Sequence, residues 1–96
     1  MDEKKIVYTQ HLQLRIKFRE IDNELPYKIY RTSTEKYFDY NTNYYIAVSN
    51  VHYKGKMREM AIVYEETINE IKIITMHPLK LYEKMNRINR GRWRKI

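Results

Sequence analysis

The shortness of its turns constrains this chain more than any other feature. Between Tyr37 and Met76 lie four strand-like runs, Tyr37–Tyr40, Tyr44–Tyr53, Met57–Glu65 and Glu70–Met76. They are joined only by Asn41-Thr42-Asn43, Lys54-Gly55-Lys56 and Glu66-Thr67-Ile68-Asn69. The runs are rich in Tyr, Val and Ile, side chains that suit a pleated, half-buried surface. Parallel neighbours need a crossover of a dozen or more residues, so links this short predict sequential antiparallel strands, a meander. Alternation in the last run puts Ile71, Ile73 and Thr75 on one face and Lys72, Ile74 and Met76 on the other. Ten Tyr against two Phe fits a sheet surface that is only half dry, because a phenol buries its ring and keeps a wet hydroxyl.

The first third of the chain reads differently. Ile6-Val7-Tyr8 is a short opening strand, and Thr9 is placed to cap a helix over Gln10–Ile21. The periodicity there fits two patterns: Leu12, Leu14, Ile16 and Phe18 alternate as in a strand, while Leu14, Phe18 and Ile21 line one helical stripe. The capping Thr favours the helix. Asp22-Asn23-Glu24-Leu25-Pro26 carries a second start signal, with Pro early where its missing N–H costs little. It predicts a helix over Leu25–Thr32 with Leu25 and Ile29 inward. Pro78 stops the last strand, and Leu79–Asn89 reads as a short basic helix or an extended arm. The expected fold is α+β and a single domain over residues 1–96. An N-terminal strand and two helices pack on one face of a curled antiparallel meander, and residues 82–96 form a basic tail. The expected core is Leu14, Phe18, Leu25, Ile29, Ile46, Val48, Ile62 or Val63, Ile71 and Ile73.

Charge is unevenly spread. The net charge is +7, and residues 82–96 hold +5 of it through Lys84, Arg87, Arg90, Arg92, Arg94 and Lys95 against Glu83. Guanidinium groups grip phosphate bidentately and an indole offers a stacking face, so Lys80, Arg87, Arg90, Arg92, Trp93 and Arg94 are candidate nucleic-acid contacts. The competing reading is a solvated basic end with Trp93 folded back onto the core. The chain has no Cys, no run of membrane-spanning length, and a start, Met1-Asp2-Glu3-Lys4-Lys5, without the apolar stretch of a signal peptide. A cytoplasmic protein with no membrane partner is expected.

Two constellations suit chemistry on RNA. His11, Arg15 and Arg19 recur every four residues and share a face on a helix, and on a strand as well. A ribonuclease that works without metal needs a base for the 2′-hydroxyl proton and cations for the charge developing on phosphorus. A packed His with two solvated Arg fits the same row. His77 closes the last strand, with Lys80 close behind, and fits either a phosphate-contacting loop or a capping ring. Three scattered His show no metal-ligand spacing and no Gly-rich loop cradles a nucleotide, so neither metal nor cofactor is expected. The Tyr row (Tyr37, Tyr40, Tyr44, Tyr45, Tyr53, Tyr64) is either a stacking platform for bases or a set of cross-strand packing pairs.

The run His11-x-x-x-Arg15-x-x-x-Arg19-x-Ile21 followed by a Tyr-rich meander resembles small phage and archaeal domains grouped near the BrnT and RelE toxins. The ending, Ile73-Ile74-Thr75-x-His77-Pro78-Leu79-Lys80 with Asn86-Arg87-Ile88 and Gly91-Arg92-Trp93, is similar to an archaeal branch of that group. The resemblance covers nearly the whole chain. It implies a RelE-like α+β fold, metal-independent RNA cleavage and inhibition by a small acidic antitoxin. By their spacing and charge, His11, Arg15, Arg19 and His77 are the candidate catalytic residues. RNA or another nucleic acid is the expected ligand, with a homo-oligomer left open.

Overall fold

The computed structural model describes residues 4–96. Its elements are β1 (Lys5–Tyr8), α1 (Gln10–Phe18), α2 (Leu25–Thr32), β2 (Glu35–Asp39), β3 (Tyr44–Tyr53), β4 (Lys56–Glu66), β5 (Glu70–Pro78), α3 (Leu81–Asn89) and β6 (Trp93–Lys95). One six-stranded sheet runs in the order β1-β5-β4-β3-β2-β6. The protein is α+β, and β2 to β5 form the expected antiparallel meander in sequence order. Lys54 and Gly55 both take positive φ, which closes the two-residue β3–β4 hairpin with the hand that strand twist prefers. The sheet as a whole is mixed, because β1 pairs in parallel with β5, Ile6 opposite Ile71 and Tyr8 opposite Ile73.

Alternation along β3 divides the core in two. Ala47, Val51 and Tyr53 face α1 and α2, with Leu12, Ile16, Leu25, Ile29, Met60, Ile62, Tyr64, Ile71, Ile73 and Met76. Ile46 and Val48 face the other way, with Tyr37, Ala61, Leu79 and Trp93, and Ile88 of α3 closes that cluster. The tail expected at residues 82–96 is therefore corrected. Its residues build α3 and β6, and α3 covers the sheet face opposite α1 and α2.

The helical reading of the Thr9 segment holds, but its inward stripe is corrected. Leu12 and Ile16 are buried, while Leu14 is 48% and Phe18 80% exposed. The cap sets this rotation. Thr9 donates its backbone N–H to Ile73 and its hydroxyl to Ile74, and Oγ1 accepts from Leu12 N. With its first turn pinned to β5, α1 directs Leu12 and Ile16 onto the sheet. Arg15 then reaches the carbonyl of Met76 at 3.2 Å, satisfying a β5 backbone acceptor past the end of β1.

The alternation expected along β5 breaks at one residue. Val63 faces Thr75 and Tyr64 faces Ile73, so Ile74 is an extra residue in the ladder. Such a bulge reverses the side-chain parity beyond it. Met76, expected opposite Ile71 and Ile73, joins them in the first cluster. In α2, Leu25 and Ile29 are buried as expected, and the Asp22 carboxylate accepts from Glu24 N at the helix start.

Ile73 is fully buried between the sheet and the helices, so Ile73→Ala is expected to cost about 2–5 kcal/mol in chemical denaturation. Phe18→Ala is expected to leave the denaturation midpoint nearly unchanged. A large loss in the second variant would mean that Phe18 is covered in solution.

Candidate nucleic-acid interface

Gly91 organises the C-terminal third. At φ +76° it takes the left-handed conformation that a side chain disfavours. Gly91 N–H donates to Ile88 O and Arg92 N–H to Arg87 O, the paired bonds that seal a helix end and reverse the chain. The reversal sends Arg92 and Trp93 back to β2. There the Asp39 carboxylate, 3% exposed, accepts from Arg92 Nε at 3.1 Å to each oxygen, from Trp93 Nε1 at 3.1 Å and from Asn41 N at 2.9 Å. Burial by itself would raise this carboxyl, but the bonds from Arg92, Asn41 and Trp93 outweigh burial and hold it below the ordinary carboxylate value. Trp93 stacks on Tyr37 with ring centres 5.4 Å apart, and β6 pairs with β2.

Beside this clamp opens a polar cleft of about 500 Å³, lined by Tyr40, Asn41, Asn86, Arg87, Arg90, Gly91 and Arg92. Tyr40 and Gly91 also border a smaller hollow with Arg94. Tyr40 is 55% exposed, rests edge-on against Phe38, and has the Arg94 guanidinium 5.8 Å from its ring centre. Among the described residues Arg90 and Arg94 form no ion pair, and both are exposed. Arg87 is half-buried, 5.1 Å from the Trp93 ring centre and 3.9 Å from Glu83. The cleft therefore offers guanidinium donors, two carboxamides and one open aromatic ring. The carboxyl end of α3 points a weakly negative dipole at it, worth about 0.3–1 kcal/mol against an anion. A charge-assisted hydrogen bond contributes about 1.5–3 kcal/mol, so the arginines win.

Lys84 is a different kind of residue. It is nearly buried beneath α3, with Nζ 3.2 Å from both Glu35 oxygens and 3.0 Å from Glu59. Tyr37 donates its hydroxyl to Glu35. That bond, reinforced by Lys84, lowers the Glu35 carboxyl against burial. Burial alone would lower Lys84, but the bonds to Glu59 and Glu35 prevail and raise it. This cluster ties α3 to β2 and β4.

The sequence-derived candidates fall in separate places. Arg87, Arg90 and Arg92 line the cleft, Arg94 borders it, and Lys80 is the exposed residue before α3. Trp93 is 3% exposed and its indole faces Asp39 and Tyr37 rather than solvent. His11 is exposed on the first turn of α1, Arg15 bonds to Met76, and Arg19 caps the end of the helix, its carbonyl held by Lys54 at 2.8 Å. His77 is half-buried on β5 opposite Ala61. Burial first, then the charges of Arg87 and Arg15 with Glu83 opposing, hold its imidazole below the ordinary histidine value. It is neutral at pH 7. The Tyr row is divided: Tyr37, Tyr53 and Tyr64 are buried, Tyr45 stacks on Tyr64 at 5.6 Å, and Tyr40 stands open. Asp39, Glu35 and Glu59 are the organising groups that sequence reasoning missed, because isolated acids on strands carry no local signal. Among the described residues no cluster of His, Asp and Glu is placed to hold a metal ion, and no helix is long and apolar enough to cross a membrane.

Comparison with known protein families, with curated proteins and with solved structures found no match for this chain.

Asp39→Ala removes the acceptor of a buried indole N–H and is expected to destabilise the protein by about 1–3 kcal/mol. The single Trp should report the change as a red-shifted emission. In the wild type the contribution of Asp39 is present above the ordinary carboxyl value of 3.8 and is lost as pH falls through its lowered folded value. Equal acid stability in wild type and variant would show that the clamp does not hold β6.

Proposed function

We propose that this protein binds RNA, gripping the phosphate backbone in the cleft between α3 and the β2–β3 turn. One observation carries the reading: among the described residues, Arg90 and Arg94 stand exposed without acidic partners beside the open ring of Tyr40. Ion-paired arginines have little to offer a phosphate, whereas these two hold their charge free for one. The excess of +7 over the whole chain supports the same reading by steering polyanions toward it.

A second reading is favoured by the position of Arg87, which lines the cleft while its charge acts on His77. A neutral imidazole under the influence of two guanidiniums is suited to take a 2′-hydroxyl proton while cations hold the charge on phosphorus. With the RelE and BrnT resemblance of the sequence, this supports a toxin-type, metal-independent ribonuclease with a small acidic antitoxin as partner. In that case His77 is the base and Arg15 and Arg87, whose charges act on it, stabilise phosphate, while His11 and Arg19 lie apart at the two ends of α1.

Fluorescence anisotropy with single-stranded RNA across a salt series tests the first reading. Replacing both Arg90 and Arg94 by Ala is expected to flatten the slope of log K against log salt by about 1.4, at roughly 0.7 per phosphate contact. Lys17→Ala, on α1, serves as control. A slope unmoved by the double variant places the phosphates elsewhere.

The second reading is tested by RNA cleavage in EDTA. His77→Ala is expected to lose roughly 10²–10⁴-fold in rate, and the acid limb of the wild-type pH profile should lie below 6.5, since a base held neutral works until it is protonated. Wild type that binds RNA and leaves it intact, alone or with ribosomes, ends the enzymatic reading.

A further inference from the structure

We infer that the cleft takes an unpaired nucleotide, its base stacked on Tyr40 and its phosphate on Arg90, so that the ligand is single-stranded rather than duplex RNA. The inference rests on the proposed RNA binding and adds the class of RNA. The open ring of Tyr40 carries it. Several other tyrosines are packed away: Tyr37 of β2 against Trp93, Tyr45 of β3 against Tyr64, and Tyr30 of α2 edge-on to Tyr64. Tyr40 is 55% exposed, and its position is set from behind. Its backbone N–H donates to Arg92 O at 2.8 Å, and Phe38 meets its ring edge-on at 4.9 Å. An aromatic ring held by a neighbouring ring and by its own backbone, yet more than half exposed, is preorganised for stacking. The Arg94 guanidinium near the same ring adds a planar cation that also stacks on bases.

The surroundings suit a nucleotide more than a bare anion. Asn41 and Asn86 bring carboxamides to the cleft wall, groups able to meet the hydrogen-bonding edge of a base. The volume, about 500 Å³, lies within the range of small-ligand sites, roughly 300–1,000 Å³. Duplex RNA keeps its bases stacked on each other and shows a protein mainly phosphate, hydroxyl and groove edges. Tyr40 then has nothing to stack on, while the arginines still find phosphate. Strandedness is therefore read by the tyrosine and affinity for polyanion by the arginines.

The test compares a short labelled oligouridylate with a blunt RNA duplex of equal length, in wild type, Tyr40→Ala, Tyr40→Phe and Tyr82→Ala. Tyr40→Ala is expected to weaken oligouridylate binding roughly 5- to 150-fold, the range for losing one stacked base, with the salt slope unchanged. Duplex binding should stay as in wild type. Tyr40→Phe should restore the single-strand affinity, and Tyr82→Ala, exposed on α3 outside the cleft, should behave as wild type. Trp93 emission reports whether β6 remains docked in each variant. If Tyr40→Ala, with unaltered Trp93 emission, weakens both ligands equally or neither, the inference is overturned while RNA binding stands. Wild type that binds neither ligand overturns the proposed function itself.

Discussion

The carboxylate of Asp39 is the anchor on which the C-terminal third depends. A buried anion is tolerable only when donors replace the lost water, and three different groups do so here: a guanidinium, an indole N–H and a backbone N–H. Each donor belongs to a separate piece of the site. Asn41 lies in the β2–β3 turn, Arg92 follows the sealed end of α3, and Trp93 opens β6. One side chain thus holds the turn, the helix end and the edge strand in fixed relation, and the cleft is the space left between them. Truncating that carboxylate would strand an indole N–H and loosen the wall carrying Tyr40.

A second polar cluster performs the same task on the other side of α3. Lys84 reaches both Glu35 and Glu59, and the Tyr37 hydroxyl donates to Glu35. The pKa directions agree with one another: Glu35 is held low and Lys84 high, as expected when each stabilises the other's charge. Tyr37 links the two clusters, bonding Glu35 through its hydroxyl while its ring stacks on Trp93. The apolar contacts of Ile46, Val48, Ala61, Leu79 and Ile88 fill the space between. Two ionic clamps around a small apolar patch suit a short helix on a sheet face, where little apolar area is available to hold it.

These clamps also change what the basic charge means. Six cations in residues 82–96 suggest a uniformly available surface. In the folded chain Lys84 serves Glu35 and Glu59, Arg92 serves Asp39, and Arg87 lies near Trp93 and Glu83. Arg90, Arg94 and Lys95 remain exposed without ion pairs among the described residues. A count of cations overstates the charge left available at this end about twofold, because a cation beside a buried acid is a structural element.

What the sequence determined by itself is local. The short links dictated the antiparallel order of β2 to β5, Thr9 and Pro26 marked the starts of α1 and α2, and apolar alternation placed Ile46, Val48, Ile71 and Ile73 in the core. Each follows from forces acting over a few residues: turn closure, capping and side-chain period. Tertiary structure decided the remainder. The pinning of Thr9 on β5 chose Leu12 and Ile16 over Leu14 and Phe18 as the inward stripe of α1. The bulge at Ile74 moved Met76 across the sheet, and Asp39, fifty-four residues before Trp93, drew the basic end into α3 and β6. His77 acquired its cationic surroundings the same way, from helices on either side of β5 in sequence. A hydrogen bond between distant residues leaves no period or spacing along the chain, so only the folded molecule shows which acid meets which arginine.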